Sequence, residues 1–297
     1  MAIPKGFRRV LYEVFPKFRG IATPLRPQAR FERNRRFAAA LSARCGPLVR
    51  NDRKPVNNNL PFQNTRKEET TMSKTYSIAI DGPAGAGKST IARRIAKELG
   101  YQYVDTGAIY RTVAYFMDLW GVSPKDVDGV SRYIDELTIA IEYDEDGMQH
   151  MIMNGMDVTK DIRTPEISKG ASDVSAHACV REMLLDMQRD VAKVYNVIMD
   201  GRDIGTVVLP KADVKIFLTA SAEVRAQRRT DELLAKGEKA NFDQILKAIQ
   251  ERDYNDSHRA IAPLKKAHDA VEVDTSNLNI EEVVAAIRTI VQEKIPV

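Results

Sequence analysis

Tyr76-Ser77-Ile78-Ala79-Ile80-Asp81-Gly82-Pro83-Ala84-Gly85-Ala86-Gly87-Lys88-Ser89 is the stretch that decides the fold. Residues 76–80 read as a short buried strand, and an amphipathic helix is expected from Thr90 to Leu99. Between them lies a complete G-x-x-x-x-G-K-[ST] pattern in its strand–loop–helix context. Glycines there let backbone N–H groups wrap a phosphate without side-chain clash, and the helix start adds favourable partial charge. Gly82, Pro83, Ala84, Gly85, Ala86, Gly87, Lys88, Ser89 and Thr90 are therefore expected to hold the phosphates of a nucleotide. Lys88 is placed to reach the β- and γ-phosphates and Ser89 to ligate Mg²⁺. The competing reading, a glycine-rich turn of a dinucleotide fold, has no use for Gly-Lys-Ser in this register.

Such a loop alone does not separate kinases from switch GTPases, so the neighbouring strands matter. Residues 102–105 form a second expected strand, which opens into Asp105-Thr106-Gly107-Ala108-Ile109-Tyr110-Arg111. Polar residues at a strand's C-terminal edge lie where α/β sheets bind ligands. Read blandly, Asp105 or Thr106 is an N-cap and Arg111 a solvated side chain. A third strand, 196–200, runs into Asp200-Gly201-Arg202-Asp203-Ile204-Gly205-Thr206. Here Asp200 suits a magnesium-bound water and Arg202 an oxyanion clamp, against the alternative of a tight turn with a surface ion pair.

Arginines gather twice more. Arg225, Arg228 and Arg229 open a helix after the strand 214–219, and Arg252, Asp256 and Arg259 share one helical face by their i, i+4, i+7 spacing. A guanidinium can bind two phosphate oxygens and stays charged, although charged helix faces are more often only solvated. No Asn-Lys-x-Asp element for reading guanine is present, and four scattered histidines offer no metal-ligand spacing.

These motifs, with Arg259-Ala260-Ile261-Ala262-Pro263-Leu264, together resemble bacterial cytidylate kinase, in order and spacing over 72–297. The resemblance implies phosphoryl transfer from ATP·Mg²⁺ to CMP or dCMP in a cytoplasmic, monomeric enzyme. It places Arg111, Arg202, Arg252 and Arg259 on the acceptor phosphate with Thr106 beside it, Asp256 on the ribose, and Ser172, Arg181 and Asp203 on cytosine. Lys88, Arg202 and the lid residue Arg228 are the expected catalytic groups. Ser89 stands where some relatives carry glycine followed by threonine. Other phosphate-loop kinases, for UMP, AMP or dTMP, remain the alternative.

The expected fold class is therefore α/β, a P-loop kinase core with a five-stranded parallel sheet: 76–80, 102–105, 196–200, 214–219 and 270–274. A monophosphate-binding subdomain, 138–195, is inserted, with a hairpin at 139–143 and 150–154 and helices over 164–176 and 180–195. The lid region is 221–260. A last helix, 280–293, is expected to bury Ile280, Val283, Val284, Ile287, Ile290 and Val291 against the sheet.

Residues 1–71 form a different kind of sequence, a basic N-terminal extension. They hold 16 Lys/Arg against 5 Asp/Glu, a net +11, leaving the remainder at 29 against 36, a net −7. No nucleic-acid partner is expected for the acidic core. Seven prolines and a polar Asn57–Asn59 run argue against a packed domain in 1–71. Three readings compete: a presequence (though Ser42 is its only serine), a basic arm, or a segment not natively translated. For the last, Lys67-Glu68-Glu69 can be encoded by a purine run just upstream of Met72. Two cysteines, Cys45 and Cys179, exclude a disulfide framework and suit a reducing compartment. No apolar run is long enough to span a membrane.

Overall fold

The computed structural model describes Arg9–Val14 and residues 74–295. Its centre is a sheet of five parallel strands, β2 (Ser77–Asp81), β3 (Gln102–Asp105), β7 (Val197–Gly201), β8 (Val214–Thr219) and β9 (Val271–Asp274), in the order β3-β7-β2-β8-β9. β2 lies in the middle and is buried from Ile78 onward, so it reads as a continuous apolar run. Helices α1 (Lys88–Leu99) and α8 (Ile280–Lys294) pack against it, joining Ile91 and Ile95 to Ile78, Ile80, Ile216 and Val284 in one core.

Each parallel strand needs a crossover, and the longest of these holds the inserted subdomain. After β3 come α2 (Thr106–Leu119) and a short helix α3 (Val127–Tyr133) that the sequence pattern did not single out. A second sheet follows, with β4 (Ile139–Tyr143), β5 (Gln149–Met153) and the two-residue β6 (Met156–Asp157). Helices α4 (Pro165–Val174) and α5 (Ala178–Val194) then lead back to β7. The hairpin turn is made at Gly147, whose φ of 75° suits glycine.

Side chains fasten the hairpin to the core. Tyr143 donates its hydroxyl to the Tyr103 carbonyl at 2.6 Å. Gln149, buried on β5, accepts from the Asp105 N–H at 2.7 Å and donates to the Asp105 carbonyl at 3.3 Å. One amide thus stands in for a missing strand at the end of β3. Beyond the sheet, α6 (Ala222–Ala235) and α7 (Phe242–His258) form a helical pair within the stretch 221–260 expected to be a lid.

Two expectations differ from what forms. Arg9–Val14 makes an edge strand, β1, antiparallel to β4, whereas no regular structure was expected in 1–71. Its ladder bonds come from the open edge of β4 rather than from any pattern of its own. The other readings of residues 1–71 fall outside the described residues. Ile280 is 52% exposed although its spacing put it in the apolar stripe, because it is the first residue of α8 and precedes the turn that meets the sheet. The helix instead starts on a capping box between Asn279 and Glu282.

Gly82 joins the central strand to the phosphate-binding loop with φ 148°, and a Cβ there would lie 1.9 Å from the Leu218 carbonyl oxygen of β8. Gly82→Ala must therefore push two central strands apart. Urea unfolding of the variant is expected to show a stability loss of at least about 1–3 kcal/mol; an unchanged midpoint would contradict this packing.

Candidate active site

The C-terminal ends of β2, β3 and β7 open onto one cavity of about 230 Å³. Five cationic side chains line it (Lys88, Arg111, Arg202, Arg252 and Arg259), together with four carboxylates, Asp105, Asp200, Asp203 and Asp256. Such a density of charge around a small space is costly to assemble and points to a polyanionic ligand.

On the donor side, the loop ends at Gly87, left-handed at φ 89°, and passes directly into α1. Lys88 is buried, and its ammonium curls back to the Pro83 carbonyl at 2.7 Å. Burial and the neighbouring Arg202 charge push its pKa well down. Phosphate oxygens in the loop would offset both effects. Ser89 donates its hydroxyl to Asp200 at 2.7 Å, and Tyr103 donates to the other Asp200 oxygen at 2.8 Å. Burial, then the charge of Asp105, raises the pKa of Asp200. A hydroxyl and a carboxylate oxygen side by side are the donor set of a hard divalent cation, so Ser89 and Asp200 fit Mg²⁺.

On the acceptor side, each arginine is held by an acid. Arg111 donates to Asp105 at 2.8 Å, Arg202 to Asp256 at 2.8 Å, and Arg259 to Asp203 at 3.2 Å. Arg181, just behind the cavity, donates to the other Asp203 oxygen and lies over the Tyr110 ring at 5.8 Å. Arg252 is the least compensated. Its Nε is 4.0 Å from Asp256, and burial, then the Arg202 charge, pull its pKa down to about 10. Burial alone would raise the pKa of Asp256, but Arg202, Arg252 and Arg259 hold it below the ordinary carboxylate range. Among the described residues, the buried Nε atoms of Arg111 and Arg252 have no partner, two donors left for a ligand.

Most of the site residues expected from sequence meet here. Thr106 donates to the Asp200 carbonyl at 2.7 Å, which brings the ends of β3 and β7 together. Ser172 lies on the cavity wall but donates to Asp256 at 3.1 Å, so it faces the group expected on the ribose rather than Asp203. Arg225, Arg228 and Arg229 are not on the cavity wall. Arg228 donates to the Thr275 carbonyl at 2.5 Å and to its hydroxyl at 3.1 Å. Arg229 pairs with Glu232 in solvent. Arg225 is buried and bridges three elements: it donates to Ala84 of the phosphate loop, to Ala220, and through both terminal nitrogens to Asp253 of α7.

Sequence reasoning missed several neighbours. Tyr110 and Ser175 line the cavity, and the Ser175 hydroxyl accepts from Arg259 at 2.9 Å. Arg163 reaches Asp105 at 3.2 Å from the turn before α4. Tyr110 sat within a quoted motif and could have been found by its i, i+4 spacing from Thr106 on one face of α2. Ser175 and Arg163 carry no local signal.

Comparison with known proteins decides the family. The family model described as cytidylate kinase matches residues 78–293. The chain belongs to the cytidylate kinase family. It is 52% identical over 223 residues to the cytidylate kinase of Lactobacillus johnsonii, covering 75% of this chain and 96% of that one. It is 46% identical over 218 residues to that of Clostridium tetani (73% and 94%), and 49% identical over 217 residues to that of Carboxydothermus hydrogenoformans (73% and 97%). No helix among the described residues is long and apolar enough to cross a membrane.

The Arg225–Asp253 pair supplies a structural test of how the lid helices are tied to the loop. Asp253→Ala leaves the Arg225 guanidinium buried with only two carbonyl partners. Urea unfolding is expected to show a loss of about 3 kcal/mol, the lower end for a broken buried pair. An unchanged midpoint would mean that the pair does not hold α6 to α7.

Proposed function

We propose that this cytidylate kinase family member transfers the γ-phosphoryl group of ATP to the phosphate of CMP or dCMP. One observation carries the reading: a phosphate-binding loop and four arginines face a single cavity whose far wall holds a carboxylate, Asp203, between Arg181 and Arg259. The loop suits the donor, the arginines the acceptor phosphate, and the carboxylate a base bearing an exocyclic amine.

The acceptor phosphate is already a nucleophile, so no general base is needed. What opposes reaction is the repulsion of two anions and the entropy of aligning them. Lys88 and the backbone of the 82–90 loop fix the donor phosphates. Ser89 and Asp200 would hold Mg²⁺, whose charge would offset that on the β- and γ-phosphate oxygens. Arg111, Arg202, Arg252 and Arg259 exchange their carboxylate partners for acceptor oxygens and hold that phosphate in line. Thr106 lies beside it. Asp256, released from Arg202, is free to accept from a ribose hydroxyl, with Ser172 next to it.

Asp203 reads the base. A carboxylate accepts from the amine of cytosine but meets an oxygen acceptor in uracil. Arg181 keeps that carboxylate oriented, and Ser175 braces the two arginines, accepting from Arg181 through its carbonyl and from Arg259 through its hydroxyl. In the lid region, 221–260, closure moves Arg228 from Thr275 toward the transferring phosphoryl group and excludes water. A monomer in the cytoplasm completes the proposal.

The direct test is coupled ADP release with ATP·Mg²⁺ and CMP, dCMP, UMP, AMP and dTMP in parallel. Rapid turnover with CMP and dCMP is expected; preference for a purine monophosphate would overturn the reading. Lys88→Ala is expected to abolish turnover. Asp203→Asn, whose amide can donate to a uracil oxygen, is expected to lower the CMP-over-UMP ratio of kcat/KM by about tenfold or more, the value of one buried polar group left unpaired. A ratio unchanged from wild type would remove Asp203 from base recognition.

A further inference from the structure

Asp81, the last residue of β2, has no role in the scheme above, yet it is one of the most deeply buried acids in the protein, 4% exposed. Its two oxygens are both engaged. One accepts from the Ile204 N–H at 2.8 Å and the other from the Gly205 N–H at 2.7 Å. These amides begin a single wide turn, Ile204–Val208, that follows Arg202 and Asp203 directly. The far end of the turn is held separately, by Arg189 donating to the Val207 and Val208 carbonyls at 2.9 and 3.0 Å. Asp81 is also the residue before Gly82, where the phosphate loop starts. It therefore joins the donor loop to the segment that presents the acceptor groups.

We infer that Asp81 is a positioning residue for acceptor recognition, its carboxylate tethering the Ile204 and Gly205 amides so that Arg202 and Asp203 face the cavity. The inference rests on the reading that those two residues hold CMP. No other side chain of this size offers two converging acceptors. Asparagine offers one and turns a donor toward the second N–H; an apolar residue would strand both amides in the core. Burial opposes the charged form of Asp81. Burial pushes its pKa up to about 6 in spite of both amide bonds, with the Asp203 charge adding to the rise and Lys88 opposing it. The stem of Lys215 is the remaining charged side chain at this spot, close to Gly205, but its ammonium is turned to Pro210 and Asp269.

Steady-state kinetics of full-length Asp81→Asn test this. KM for CMP is expected to rise about tenfold and KM for ATP to stay within about twofold. The sign of the pH effect follows from the raised pKa. The wild-type carboxyl group, in its protonated form, favours the folded state below its unfolded pKa, and this contribution is lost as pH rises through about 6. Any advantage in midpoint of the Asn variant should therefore widen between pH 4.5 and 7. Gly205→Ala is the second variant. Its Cβ would lie 3.3 Å from the Asp81 carboxylate and 3.1 Å from the Lys215 stem, moving the N–H off the acid with the charge intact. The same split in KM is expected. Unchanged KM for CMP in both variants, or an equal rise for ATP, would overturn the inference. If the wild-type chain shows no CMP-dependent turnover, it is the functional reading that fails. Amide exchange at Ile204 and Gly205 in nucleotide-free Asp81→Asn then decides the tether: faster exchange supports it, and wild-type protection overturns it.

Discussion

Five cations surround a cavity of about 230 Å³, and four aspartates are interleaved among them. Arg111, Arg202 and Arg259 are each held by a different carboxylate, on β3, α7 and the turn after β7. Pairing of this kind adds little to net stability, since desolvation consumes most of the attraction. What it gives is a set of guanidinium groups already aimed at one point. On the proposed function, an entering phosphate would replace carboxylate oxygens with its own, so the charges need not be gathered anew.

The fold exists to bring those pairs together. Parallel strands place their C-terminal ends on one side of the sheet, and β2, β3 and β7 contribute the loop, Asp105–Thr106 and Asp200–Asp203 respectively. The hydrogen bond from Thr106 to the Asp200 carbonyl and the grip of Gln149 on Asp105 fix β3 to its neighbours at the point where the ligand would sit. On the other side of the loop, Arg225 ties the lid helices to Ala84. Donor loop, acceptor groups and lid are thus connected through side chain–backbone bonds rather than by the sheet alone.

The parts of this arrangement legible in the sequence are those with a local rule. The glycine spacing and the apolar runs of the strands placed β2, β7 and β8 within a residue, and the i, i+4 spacing put Arg252 and Asp256 on one face of α7, which lines the cavity. Pairings between distant segments had no such rule. Nothing in Gln149 announces that its amide will substitute for a strand, and nothing in Asp81 that it will take two amides from residues more than a hundred positions away. Arg228 illustrates a third case: its place near the lid is readable, but its partner, Thr275, depends on how the helix turns on the sheet. The Ile280 expectation failed for a related reason, since periodicity says which face is apolar but not where contact with the sheet begins.

The central claim, that the arginine cluster is built for a monophosphate and is served by its aspartates until one arrives, is tested most directly by calorimetric titration of the full-length chain with CMP and with cytidine. Both ligands carry the same base and sugar, so only the phosphate differs. CMP is expected to bind at least about a hundredfold more tightly, from two or more charge-assisted hydrogen bonds at roughly 1.5–3 kcal/mol each. Equal affinities for the two would contradict the account, because the arginines would then contribute nothing to acceptor binding.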